Sequence, residues 1–96
     1  MKPPEYFTDE QRSLWEKLLV KVTGNPLATD LEAYCVEFSR WREAEEWLKA
    51  NGTEILIRDD KGTVKNVITS PQLRIARDAM SAVQKLSKVL RIKGEL

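Results

Sequence analysis

The sequence predicts a mainly α-helical fold: a long antiparallel helix pair plus an N-terminal helix, with a β-hairpin connecting helices 2 and 3. Three observations predict it. Two stretches, around residues 8–22 and 30–50, open on capping-box patterns and carry apolar residues at helical spacing. The period shortens to strand-like alternation over 54–68. A last amphipathic stretch runs from Ser70 to Arg91 without a helix breaker inside it.

Residues 1–7 read as an irregular arm. Thr8-Asp9-Glu10-Gln11 then has capping-box form, with Thr at the N-cap and Gln at N3. Helix 1 is expected to reach about Val22, with Leu14, Trp15, Leu18, Leu19 and Val22 on one face and Gly24 and Pro26 ending it. Thr29-Asp30-Leu31-Glu32 repeats the capping pattern and predicts helix 2 from Asp30 to about Ala50, closed by Asn51-Gly52. Glu54-Ile55-Leu56-Ile57-Arg58 and Thr63-Val64-Lys65-Asn66-Val67-Ile68 flank the turn signal Asp59-Asp60-Lys61-Gly62, which makes a hairpin. A lone two-stranded hairpin is marginal in water, so it is expected to pack on helices or on a neighbouring chain. Ser70 is a good N-cap for helix 3, and Pro71 loses nothing at the first helical position. Residues 93–96 form a tail, and residues 1–96 read as a single domain.

Helix 2 is apolar on two sides. Leu31, Tyr34, Cys35, Phe38 and Trp41 make one stripe, and Ala33, Val36, Ala44 and Trp47 another roughly opposite it. Ile75, Ala82 and Val89 widen the apolar arc of helix 3 beyond Ala76, Ala79, Val83, Leu86 and Leu90. Either helix 1 covers the second stripe, or, as its shortness favours, the surplus apolar area marks an interface between chains. Self-association as a cyclic homo-oligomer is expected, with Val36 and Trp47 at the subunit contact.

Charge is unevenly spread. Residues 1–50 hold 7 Lys/Arg and 10 Asp/Glu, net −3, and residues 51–96 hold 9 and 5, net +4. On a wheel of about 100° per residue, Arg74, Arg77, Lys85, Lys88 and Arg91 lie opposite the apolar side of helix 3. Such a stripe meets solvent, or acidic helix 2, or phosphates. The candidate DNA-contacting set is Arg74, Arg77, Gln84, Lys85, Lys88, Arg91 and Lys93, mostly to the backbone, with Gln84 as the one amide able to read a base edge.

Little chemistry is available for catalysis. The chain has no His and no Gly-rich phosphate loop. Cys35 lies among apolar residues and reads as a core thiol. Asp59-Asp60-Lys61-Gly62 lacks the spaced ligands of a calcium loop and reads as a plain turn. Glu43, Glu45 and Glu46 read as a solvated face, with Glu45 and Lys49 spaced for an i, i+4 pair. No catalytic residue, metal site or cofactor is expected. No apolar run is long enough for a membrane span, and the N-terminus has no signal-peptide core, so a soluble cytoplasmic protein is the expectation.

An ordered set of anchors adds to this. It comprises Trp15-Glu16-Lys17-Leu18-Leu19, then Asp30 with Leu31-Glu32-Ala33-Tyr34-Cys35, Trp41 and Ala44, and Leu48-Lys49-Ala50-Asn51-Gly52. The hairpin through Lys65-Asn66 follows, then Ser70-Pro71 with Ile75-Ala76, and Leu90-Arg91-Ile92. In order and spacing this set resembles the small subunit of phage terminases, specifically the P27-like family, over about residues 8–92. The resemblance implies a non-enzymatic DNA-recognition component of viral genome packaging in the host bacterial cytoplasm. It implies a ring that binds the packaging start site in double-stranded viral DNA. It also implies a large-subunit partner, carrying the ATPase and nuclease, whose activities the ring modulates. The pattern departs from the family at both ends, where longer basic segments are usual. A small helical protein–protein adaptor without DNA binding is the alternative the residues leave open.

Overall fold

The computed structural model describes residues 2–23 and 26–92. Its elements in order are α1 (Asp9–Lys21), α2 (Ala28–Asn51), β1 (Glu54–Arg58), β2 (Val64–Thr69) and α3 (Pro71–Leu90). The expected fold is therefore present: three helices, with an antiparallel hairpin between the second and third.

The Thr8 capping box forms. The Thr8 hydroxyl accepts from the Gln11 N–H at 3.2 Å, and the Gln11 side chain accepts from the Thr8 N–H at 3.0 Å. The Thr29 box does not form. Helix α2 begins earlier, with Leu27 as an N-cap that makes no side-chain bond. Its carbonyl accepts from the Asp30 and Leu31 amides at 3.1 and 3.2 Å. Ala28 is a strong helix former directly after the cap, so Thr29 falls inside the first turn rather than before it. Gly52 closes α2 with φ 82°, a conformation costly for any residue with a Cβ.

The arm before α1 is not idle. Phe7 is buried and meets Trp15 edge-on at 5.9 Å, and the Tyr6 hydroxyl donates to the Glu32 carboxylate on α2. Phe7, Trp15, Leu18, Leu31, Tyr34, Cys35, Val83 and Leu90 form the core, with Leu14, Val22, Val36, Phe38, Leu86 and Ile92 packed on it. Leu19, expected on the inner face of α1, is 36% exposed, and Val89 on α3 is 63% exposed. At this end Thr23 Oγ1 donates to the Arg91 carbonyl at 3.2 Å, and Val22 and Ile92 form a short antiparallel bridge.

Away from that end only two helices remain. Ala44, Ala76 and Ala79 are buried in the seam between α2 and α3, where small side chains let the helices approach closely. Ser70, also buried, joins this seam to the hairpin. Its amide donates to the Thr53 carbonyl at 2.8 Å, and its hydroxyl accepts from the Gln72 amide at 3.3 Å as the α3 cap.

The hairpin pairs Glu54 with Thr69, Ile55 with Ile68, Leu56 with Val67 and Ile57 with Asn66, and a register shift follows Ile57. Its turn is built by Asp59, whose carboxylate accepts from the Lys61 and Thr63 amides at 2.9 Å each. Gly62 supplies the positive φ of 81° the turn requires. Of the two partners expected for the hairpin, helices or a neighbouring chain, the chain's own helices do not cover it: every β2 residue is exposed, and Ile55 alone in β1 is partly covered. The molecule is consequently 60 Å long, with a radius of gyration of 17.5 Å. A compact chain of this length has about 12–13 Å. Helix α2 spans about 36 Å at 1.5 Å per residue, and the hairpin adds most of the remainder.

Burial pushes the Cys35 thiol from its ordinary 9.0 up to about 12. From about pH 9 upward the unfolded chain therefore loses a proton that the folded chain keeps, and stability falls as pH rises toward 12. Burial also raises Tyr34, against a smaller lowering from its hydrogen bond with Ser87, and acts in the same direction. Two outcomes are expected. Cys35 resists alkylation at pH 8 until urea unfolds the chain, and urea midpoints fall steadily above about pH 9. Rapid labelling of the folded chain at pH 8 would contradict the buried placement.

Candidate nucleic-acid interface

Helix α3 is held with Ala76, Ala79, Val83 and Leu90 inward, so its opposite side must face solvent. Arg74, Arg77, Gln84, Lys85 and Lys88 are all exposed, as is Arg91 at the C-cap. From Arg74 to Arg91 the stripe is about 26 Å long at 1.5 Å per residue. Lys93 lies outside the described residues. The structure therefore brings six of the seven predicted DNA-contacting residues onto one continuous face.

Acidic α2 does not neutralise this face. Arg74 pairs instead within its own helix, to Asp78 at 3.7 Å, and both side chains are largely exposed at 89% and 75%. An exposed i, i+4 pair of this kind is worth only a few tenths of a kcal/mol. Among the described residues Arg77, Lys85 and Lys88 make no ion pair. Asp78 is the residue that sequence reasoning passed over: it sits within the cationic stripe, and its spacing from Arg74 was there to be read. Arg91 is fixed more firmly than the others. Its backbone adopts the left-handed conformation at φ 51°, with its amide donating to the Lys88 and Ser87 carbonyls and its own carbonyl accepting from Thr23.

The two expected subunit-contact residues diverge. Val36 is half-buried against the chain's own core, because α1 and its arm cover the N-terminal half of α2. Trp47 lies beyond that cover and is 36% exposed beside an open groove between α2 and α3. Glu45 is exposed and accepts from the Trp41 indole N–H at 3.3 Å. The expected pair with Lys49 does not form, since the indole on the preceding turn takes its carboxylate.

What the face offers chemically is positive charge at fixed spacing, together with one amide. Among the described residues no group of three or more His, Cys, Asp or Glu could hold a metal ion, and no helix is long and apolar enough to cross a membrane.

These features define a small, elongated helical protein that presents a cationic helix face. The family model described as the phage terminase small subunit matches residues 14–92, and the chain belongs to that family. No curated protein and no solved structure matches it.

The strained C-cap of α3 yields a direct check. Replacing Arg91 by Gly relieves the left-handed conformation that an L side chain resists, while leaving the backbone bonds intact. Arg91→Gly is expected to raise stability by up to about 1 kcal/mol in urea titration. A loss of stability would show that the Arg91 side chain contributes more to the helix end than its backbone strain costs.

Proposed function

We propose that this chain is the DNA-recognition and regulatory subunit of a phage packaging machine. On this reading it assembles as a ring, binds double-stranded viral DNA at the packaging start site, and modulates the ATPase and nuclease of a large terminase subunit without catalysing either reaction. The family match over residues 14–92 carries this reading. The exposed cationic side of α3 supports its DNA-binding part, and the uncovered apolar surface around Trp47 and the hairpin supports its assembly part.

The energetics favour many copies over one. A handful of exposed cations binds duplex DNA weakly and with steep salt dependence. Several copies on one particle convert weak contacts into useful affinity through effective concentration. Phosphate contacts by Arg74, Arg77, Lys85, Lys88 and Arg91, with Lys93 beyond them, position the duplex, and Gln84 is the candidate for a base edge.

Native mass measurement at micromolar concentration is expected to give a species several-fold above 11.1 kDa. On that particle, Lys85→Ala with Lys88→Ala is expected to weaken binding to all duplex sequences alike. The same change flattens the dependence of log K on log salt by about 2 per subunit engaged. Asp78→Asn, which removes the one acid from the stripe, is expected to do the opposite. Unchanged binding and salt slope in both variants, with the oligomer intact, would show that the face is merely solvated and leave the protein–protein adaptor as the better reading.

A further inference from the structure

The hairpin and the α2/α3 groove are both left uncovered by the chain that makes them. We propose that the hairpin of one copy is an arm that seats in the groove of the next, through the face carrying Leu56 and Val67. This deepens the assembly reading above and rests on it.

The arm is apolar without being packed. Leu56 and Val67 are cross-strand partners and so share a face, and each is 47% exposed. Ile57, Val64 and Ile68 are 40–42% exposed. A two-stranded ribbon with this composition is marginal alone and is stabilised by a third layer. Its own helices do not supply one, since they lie in line with it rather than beneath it.

The groove is suited to receive it. It encloses about 700 Å³ beside the seam, floored by Ala44, Ala79 and Ala82 and flanked by Trp47 and Ile75. Trp47 and Ile75 are 36% and 37% exposed. Alanines on the floor leave room for large aliphatic side chains from outside. The lining residues on α2 run from Glu37 to Trp47, about 15 Å at 1.5 Å per residue. Strands of 5 and 6 residues are about 17–20 Å long. Length therefore matches length.

Charge agrees. The groove rim carries Glu37, Glu43 and Asp78 against Arg40. Between its stem acid Glu54 and its turn acids Asp59 and Asp60, the ribbon's charged residues other than Lys61 in the turn are Arg58 and Lys65. Arm and groove are different patches of one surface, so each copy donates to one neighbour and accepts from the other. A contact of this heterologous kind closes into a ring when the rotation permits.

Cysteine cross-linking tests this, because the chain's own Cys35 is buried. Two double variants are compared on the assembled full chain with a short bis-maleimide. Leu56→Cys/Ile75→Cys places thiols on the proposed arm face and in the groove, and Ile57→Cys/Ile75→Cys places the first on the opposite face. The Leu56 pair is expected to give a ladder of covalent multimers beyond the dimer, and the Ile57 pair and each single variant none. In parallel, Leu56→Ser/Val67→Ser is expected to shift the assembly midpoint by about tenfold or more in concentration with helical circular dichroism unchanged. An oligomer that persists with no ladder from the Leu56 pair, with links only from the Ile57 pair, or with cross-linking that stops at dimers, overturns the arm-in-groove contact while leaving self-assembly standing. A parent chain that stays monomeric throughout overturns the assembly reading itself.

Discussion

The far half of this molecule depends on a seam of alanines between two helices. Ala44 on α2 and Ala76 and Ala79 on α3 are almost wholly buried where the two long helices pack together. Small residues permit a close approach of backbones, yet each contributes little apolar area of its own. A two-helix layer has one inside and two outsides. The larger side chains near this seam, Trp47 and Ile75 among them, are consequently left on its flanks. The molecule is thin because no third helix covers this layer, and long because the hairpin extends beyond the helices.

The opposite end shows what a third helix does. There α1, with Phe7 tucked beneath Trp15, closes over Leu31, Tyr34 and Cys35, and α3 supplies Val83 and Leu90. This end contains the only core cluster among the described residues, so stability is concentrated there. The far half of the seam and the hairpin belong to the least protected part of the fold, with few buried apolar contacts and an exposed backbone ladder. The Ser70 bonds, which fasten the hairpin stem to the start of α3, are what hold its direction.

Much of this was legible in the sequence, and the failures have physical causes. The Thr8–Gln11 box, the Ser70-Pro71 start and the Gly52 stop are local signals, satisfied within four residues, and the structure contains each of them. The Thr29 box looked equally sound, but Ala28 after the Leu27 cap extended the helix by two residues, because propensity outweighed one side-chain bond. Phe7 was hidden because burial of a residue before a helix depends on where the chain folds back, which no periodicity reports. The cationic face was fully legible, since helix α3 has one apolar side and the rest follows from its period. Asp78 within that face was legible too, as an acid four residues from Arg74. The split between Val36 and Trp47 was not, because only the end point of α1 decides which part of α2 is covered.

Charge and apolar surface are kept apart in a way that bears on the proposed function. The cations of α3 lie opposite its buried alanines, while Trp47 and the groove open on the side of the seam. Subunit contacts through the flanks and the hairpin would thus leave the cationic face outward on every copy. Had the cations lain along the seam instead, assembly would have buried them, at a desolvation cost of several kcal/mol per unpaired charge. Exposed at the surface, each is screened over about 8 Å at physiological ionic strength and is individually weak. On the proposed function, weak and repeated contacts of this kind would hold DNA by its backbone, and the two surfaces lie side by side, with Asp78 at the edge of both.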